Sequence, residues 1–275
     1  MSVPVLTLVE FTDRPAPSAH APLVVLGPSL GTSVTSLWSA TARALRGDYR
    51  VLGWDLPGHG ASPAAPEAFD MAELARGVLA AVDRHPDTTA VERPFFYAGN
   101  SVGGCVGQQL LLDAPARVRA AVLLGTAARV GEPADWADRA RLVAAAGTPT
   151  QVEGSARRWF APGFLQRDPV AATELLHDLQ DADRASYARV CEALGSFDVR
   201  GRLGAVDAPV LAVAGAQDRP VPPAAVEQLA TATGGRLVVV EDAGHLVPAE
   251  APLEVARLLA GHFAAARTDP EGARA

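Results

Sequence analysis

A chain of 275 residues, 49% hydrophobic and 20% charged, is long enough for one large domain, or for one domain carrying an insertion, and apolar enough to build a sizeable core. Its formal charge of −7 argues against a nucleic-acid partner, and all 24 of its basic residues are arginine, which excludes a Schiff-base lysine and a P-loop lysine. Two cysteines, Cys105 and Cys191, cannot by themselves make a disulfide framework or a four-ligand zinc site. No apolar run approaches the ~18–20 residues that span a bilayer, and the first residues lack the basic start and apolar core of a signal peptide. The expectation is a cytoplasmic protein with no membrane partner.

In chain order, the Pro/Ala-rich stretch Asp13–Pro22 reads as a loop between early strands. Apolar runs follow at Leu23–Leu26, Tyr49–Trp54, Pro94–Ala98 and Ala120–Leu124, and later at Val210–Ala214 and Leu237–Val240. They are continuously apolar rather than alternating, as strands buried on both faces are. Helical patterns lie between them at Trp38–Leu45, Met71–Val82, Val102–Leu112 and Ala224–Thr231. Strands alternating with helices predict an α/β fold with a mostly parallel sheet flanked by helices.

The alternation stops between about Gly125 and Val206. Helical patterns alone fill that stretch, at Ala134–Ala146, Thr150–Phe160, Ala171–Gln180 and Asp183–Leu194, punctuated by Gly147, Pro149, Pro162 and Pro169. The expected organisation is a core of residues 1–126 and 205–275 with a helical insertion over 127–204. The tail after Ala266 is expected to fray.

The pattern Gly-x-Ser-x-Gly occurs twice, around Ser29 and around Ser101. A serine nucleophile needs a sharp strand-to-helix turn, so that the first N–H groups of the helix face the developing oxyanion. Ser101 sits between a strand pattern and an immediate helix. After Ser29 the residues LGTSVT are loop-like, and the helical pattern resumes only near Leu37. Ser101 is therefore the candidate nucleophile. Its base must be a histidine. His20, His85, His177 and His262 fall in loop or helix-surface contexts where solvent exposure is expected. His59 and His245 both lie at strand ends, where α/β sheets bind ligands, and the residues alone leave both open. For the acid that orients the imidazole, Asp218 after Val210–Ala214 is the best candidate, ahead of Asp55 and Asp242.

Over about residues 20–265 the chain resembles the α/β-hydrolase superfamily. Its order of serine, acid, histidine is matched by Ser101, Asp218 and His245, and Asp55–Ser62 (DLPGHGAS) looks like the superfamily's D-x-x-G-x-G-x-S segment. The resemblance gives His59 a structural part and His245 that of the base. It implies an oxyanion hole from the backbone N–H groups of Val102 and Leu30, and a helical cap that matches the insertion. Pro28 stands where His or Asn is common, so a side-chain hydrogen bond holding that loop is missing.

Within the superfamily the chain is most similar to 3-oxoadipate enol-lactonases. The supporting segments are Pro28–Thr32 with Trp38, Trp136–Arg139, Arg158–Phe164 and Tyr187–Leu194. The resemblance implies hydrolysis of an ester or lactone through an acyl-enzyme, without metal or organic cofactor. Its substrate is a small anionic molecule. Residues 127–200 hold nine arginines against eleven acidic residues, so no general positive field is expected there. Recognition would fall to one or two placed arginines. Arg139, three residues after Trp136 on one helix face, is the candidate, with Trp136 and Trp159 as further substrate-binding residues. Residues such as Trp159 and Phe160 more often pack a cap core than touch ligand, and Cys105 is expected to be a small buried hydrophobe. Other readings are a different carboxylesterase or thioesterase, a biosynthetic lactone hydrolase, a non-hydrolytic lyase or oxygenase using His245 as base, and a non-catalytic binding protein. A homo-oligomer is possible on sequence grounds.

Overall fold

The computed structural model describes residues 2–11, 21–85 and 93–268. His20, the middle of the Asp13–Pro22 loop and the tail from 269 lie outside the described residues. Seven strands form one sheet: β1 (Leu8–Glu10), β2 (Leu23–Gly27), β3 (Arg50–Trp54), β4 (Phe95–Asn100), β5 (Val118–Leu124), β6 (Val210–Gly215) and β7 (Arg236–Val240). Their spatial order is β1-β3-β2-β4-β5-β6-β7. Only β1 runs antiparallel to its neighbour, with Val9 opposite Gly53; the other pairs are parallel. The mostly parallel α/β sheet is as the sequence predicts. Of the central strands, β4 and β6 are buried at every residue and β5 at every residue but Arg119. In contrast to the expectation of burial on both faces, β7 is half-exposed, because it closes the sheet at an edge.

Helices α1 (Val34–Leu45), α2 (Met71–Arg84), α3 (Val102–Asp113) and α9 (Pro223–Ala232) link these strands. On α1 the buried residues are Val34, Leu37, Trp38, Thr41, Ala42 and Leu45, the spacing of one helix face. This helix begins earlier than its apolar pattern suggests. Ser33 accepts a hydrogen bond from the Ser36 N–H and so starts the helix ahead of its bulky residues. A reciprocal box between Asp70 and Glu73 starts α2. Between β5 and β6 the chain forms helices only: α4 (Pro133–Ala146), α5 (Val152–Trp159), α6 (Phe164–Arg167), α7 (Pro169–Asp181) and α8 (Arg184–Ser196).

This helical segment is tied to the rest of the molecule by polar contacts. The Asp178 carboxylate accepts from the Ser33 N–H at 2.8 Å and from the Ser36 hydroxyl. The Asp183 N–H donates to the Gly58 carbonyl at 2.8 Å, and Arg189 donates to the Ala65 carbonyl at 2.6 Å.

After β7 come α10 (Val247–Glu250) and α11 (Pro252–Thr268). No helix was expected there, and α11 runs past Ala266 to Thr268 rather than fraying at that point. It packs on α1 and sends Phe263 into the core, stacked on Phe96 at 4.7 Å and edge-on to Tyr49 at 6.2 Å. His262 is also buried, with Nε2 at 3.2 Å from the Pro209 carbonyl, and burial lowers its pKa. The expectation of a solvent-exposed His262 is thereby corrected: it lies on the face of α11 that is buried with Val255, Leu259 and Phe263.

Two expectations follow. Phe263→Ala removes a fully buried ring and should lower unfolding free energy by about 3–5 kcal/mol in urea titration. The Cys105 and Cys191 thiols are buried, and burial pushes each up to about 12. Both should resist alkylation by iodoacetamide in the folded protein and react on denaturation.

Candidate active site

Strand β4 passes into α3 through a single residue, Ser101. Its backbone lies at φ 55° and ψ −116°, the one positive φ outside glycine among the described residues. Such a conformation costs on the order of 1–3 kcal/mol unless its surroundings enforce it. Here the Ser101 N–H donates to the Leu124 carbonyl at 2.8 Å, and the Ser101 carbonyl accepts from the Cys105 N–H at 3.0 Å. Close packing completes the hold. A Cβ on Gly103 would sit 2.6 Å from the Gly27 carbonyl carbon and 2.6 Å from the Pro28 oxygen, so only glycine lets the first turn of α3 press against the end of β2.

Asp218 follows β6, and His245 lies on the loop between β7 and α10. Both are buried. His245 Nδ1 is 2.9 Å from Asp218 Oδ2, and Asp218 Oδ1 accepts from the Val221 N–H at 2.8 Å. An imidazole whose Nδ1–H donates to a carboxylate keeps its Nε2 as a proton acceptor. The His245 main chain is also fixed. Its N–H donates to the Trp159 carbonyl at 2.7 Å, and its carbonyl accepts from Asn100 Nδ2 at 3.1 Å. Ser101 and His245 line one cavity of about 160 Å³. Among the described residues the Ser101 hydroxyl has no hydrogen-bond partner.

The other acids and histidines lie apart from this pair. The Asp55 carboxylate accepts from the Val34 N–H at 2.6 Å and the Ala61 N–H at 2.8 Å, and Asp242 is exposed. His59 is buried with Nδ1 at 2.9 Å from the Pro57 carbonyl, and it stacks on Tyr187 at 6.0 Å. Burial lowers its pKa, which favours a neutral ring. His85 is half-buried and His177 exposed.

Leu30 shares the cavity wall with Ser101, and Val102 follows Ser101 as the first residue of α3. Among the described residues neither N–H is engaged in a hydrogen bond, so both are free to donate. The loop that carries Leu30 is held without any side chain from position 28. The Gly103 N–H donates to the Pro28 carbonyl at 2.9 Å, Trp38 Nε1–H to the Gly27 carbonyl at 2.9 Å, and the Thr32 hydroxyl to the Ser29 carbonyl at 3.1 Å. Ser29 itself lies four residues before Ser33, the residue that starts α1, and forms part of the cavity wall.

The remaining wall comes from the helical segment. Trp136 and Arg139 of α4, Arg158 and Trp159 of α5, and Tyr187 of α8 line the cavity, with Asp135 beside them. All three expected substrate-binding residues are therefore brought to it. Trp136 is oriented by its Nε1–H, which donates to the Val130 carbonyl at 2.6 Å, and the Arg139 guanidinium lies 4.8 Å from its ring centre. Trp159 also packs edge-on against Phe160. The sequence reading had not singled out Arg158 as a binding residue. Its signal was Ser155, Arg158 and Trp159 falling on one face of α5. Burial, and then the neighbouring Arg139 charge, lower the Arg158 pKa. Among the described residues, no carboxylate lies within ion-pair distance of Arg139 or Arg158.

Residues 23–258 match the model of the alpha/beta hydrolase family. The chain is 36% identical over 200 residues to 3-oxoadipate enol-lactonase 2 of Acinetobacter baylyi, covering 73% of each protein. It is 32% identical to RutD of Variovorax paradoxus, which carries a provisional carbamate hydrolase name, over 77% of this chain and 80% of that one. Among solved structures, the enol-lactonase of Burkholderia xenovorans superposes with a TM-score of 0.86 at 30% identity, over 94% of this chain and 96% of the other. With the fold, the serine turn and these likenesses together, the chain belongs to the alpha/beta hydrolase family.

Proposed function

We propose that this protein is a serine hydrolase of carboxylic esters or lactones whose preferred substrate is an anionic enol-lactone, of which 3-oxoadipate enol-lactone is the leading candidate. The observation that carries the reading is the pair of guanidinium groups, Arg139 and Arg158, in the same cavity as Ser101 and His245. Two cations held close together without a carboxylate partner are costly in a half-buried site. A substrate carboxylate would relieve that cost and accept charge-assisted hydrogen bonds from both. The names of the two enol-lactonase relatives support the same choice.

In this reading Ser101 Oγ attacks the ring carbonyl and His245 Nε2 takes its proton. The Asp218 carboxylate holds the ring in the required tautomer and stabilises its cation. The oxyanion receives the Leu30 and Val102 N–H groups, each worth about 3 kcal/mol at the transition state. The ring oxygen leaves as an enol that takes the proton from His245 and can tautomerise to a ketone. Water, deprotonated by His245, then releases the acid. Residues 1–126 and 205–275 would serve as the catalytic core, and 127–204 as a cap that selects the substrate. A second reading, hydrolysis of a neutral carbamate ester, takes its direction from the carbamate hydrolase name of RutD; such an ester offers no carboxylate to the two arginines.

Ser101→Ala should abolish both turnover and labelling by an alkyl fluorophosphonate, and full turnover by that variant would end the serine-nucleophile reading. Arg139→Met and Arg158→Met should each lower kcat/KM for the anionic lactone by about 10- to 100-fold, the worth of one charged hydrogen bond. Their kcat/KM for p-nitrophenyl acetate should change little. Equal losses on both substrates would favour the neutral-substrate reading.

A further inference from the structure

Glu250 ends α10, five residues after His245, and is buried. Its two oxygens face two different segments. Oε1 accepts from the Gly244 N–H at 3.0 Å, and Oε2 accepts from the Ala161 N–H at 2.7 Å. Between these contacts the His245 N–H donates to the Trp159 carbonyl. The His245 loop and the stretch Trp159–Ala161 therefore lie side by side, with one carboxylate bridging them. The approach is too close for any side chain at position 244: a Cβ there would be 2.6 Å from the Trp159 oxygen and 2.7 Å from the Ala161 nitrogen.

We propose that Glu250 is a positioning residue for His245, clamping the loop that carries the base to the segment that carries the cavity-wall residue Trp159. The proposal rests on the reading of His245 as the general base. A carboxylate suits the task because both its oxygens accept and neither donates. Glutamine at this position would satisfy one buried N–H and oppose the other with its own NH₂. The loss would fall on the residue next to the base, so the imidazole would shift relative to Ser101 while its bond to Asp218 remained possible.

The clamp is also sensitive to pH. Burial raises the Glu250 carboxyl to about 7 against the pull of the backbone N–H groups and of Arg167 on α6. The loop also carries the exposed Glu241 and Asp242, and His245, whose ring is bonded to Asp218. Ionisation of Glu250, and with it the full clamp, is gained as pH rises through about 7.

The test is the rate at which an alkyl fluorophosphonate labels Ser101, followed across neutral pH in wild type, Glu250→Gln, Glu250→Asp and His245→Ala. Glu250→Gln should label about tenfold or more slowly above pH 7, the scale expected when a reacting group is misplaced by a fraction of an ångström. Wild-type labelling should rise as Glu250 ionises near pH 7, and Glu250→Gln should lack that rise. The downfield proton signal of the His245 Nδ1–H···Asp218 bond should shift or broaden. Glu250→Asp keeps the charge but is one methylene too short to bridge, and should be slowed as well. Wild-type rates, pH profile and proton signal in Glu250→Gln overturn the proposal; if that variant does not fold, wild-type behaviour of Glu250→Asp overturns it. Wild-type labelling of His245→Ala would remove the reading of the base itself, and the clamp with it.

Discussion

The site depends on one backbone turn. An L-residue does not adopt the conformation of Ser101 unless the chain around it leaves no alternative. That constraint is supplied by β5, through the Leu124 carbonyl, and by the absence of a side chain at Gly103. The same contact that allows the turn also brings the Gly27–Thr32 loop against the start of α3. Leu30, in the cavity wall, and Val102, the first residue of α3, are thereby held on the two segments that meet there. The seating of the Gly27–Thr32 loop and the start of α3 both depend on the close approach between β2 and α3.

The wall opposite is governed by charge placement rather than by net charge. The helical segment holds more acids than arginines, yet four of its nine arginines over 127–200 are already paired with acids close in sequence. Arg129 pairs with Glu132, Arg141 with Asp138, Arg157 with Glu153 and Arg200 with Asp198. These are exposed pairs close in sequence, worth little to stability. They do, however, leave Arg139 and Arg158 as the guanidinium groups turned to the cavity. An excess of acid over the segment is thus compatible with a cationic wall.

The strands and the order of chemistry-bearing residues were legible because both depend on local pattern: continuous apolar runs, a glycine-flanked serine, and an acid and a histidine each placed after a strand. The start of α1 was not, since it is set by the hydroxyl of Ser33 and the Asp178 carboxylate from a distant helix. Nor was α11, whose alanine-rich face shows little periodic contrast, and with it the burial of His262. Arg158 was missed because its meaning depends on Arg139 standing beside it from another helix. Glu250 was missed for the same reason, as its two partners lie on segments far apart in the chain. Pairings across helices have no signature in a single stretch of sequence.

The Pro28 carbonyl has a wider consequence. Because the neighbouring loop is fastened through a peptide oxygen, its anchorage does not depend on which side chain occupies position 28. Evolution can then exchange that residue without unseating the donors next to it. A ring with a preset φ even lessens the disorder the loop must lose on folding. The departure from the commoner His or Asn is therefore compatible with a working anion-binding turn, and position 28 becomes a place where sequence drift is cheap.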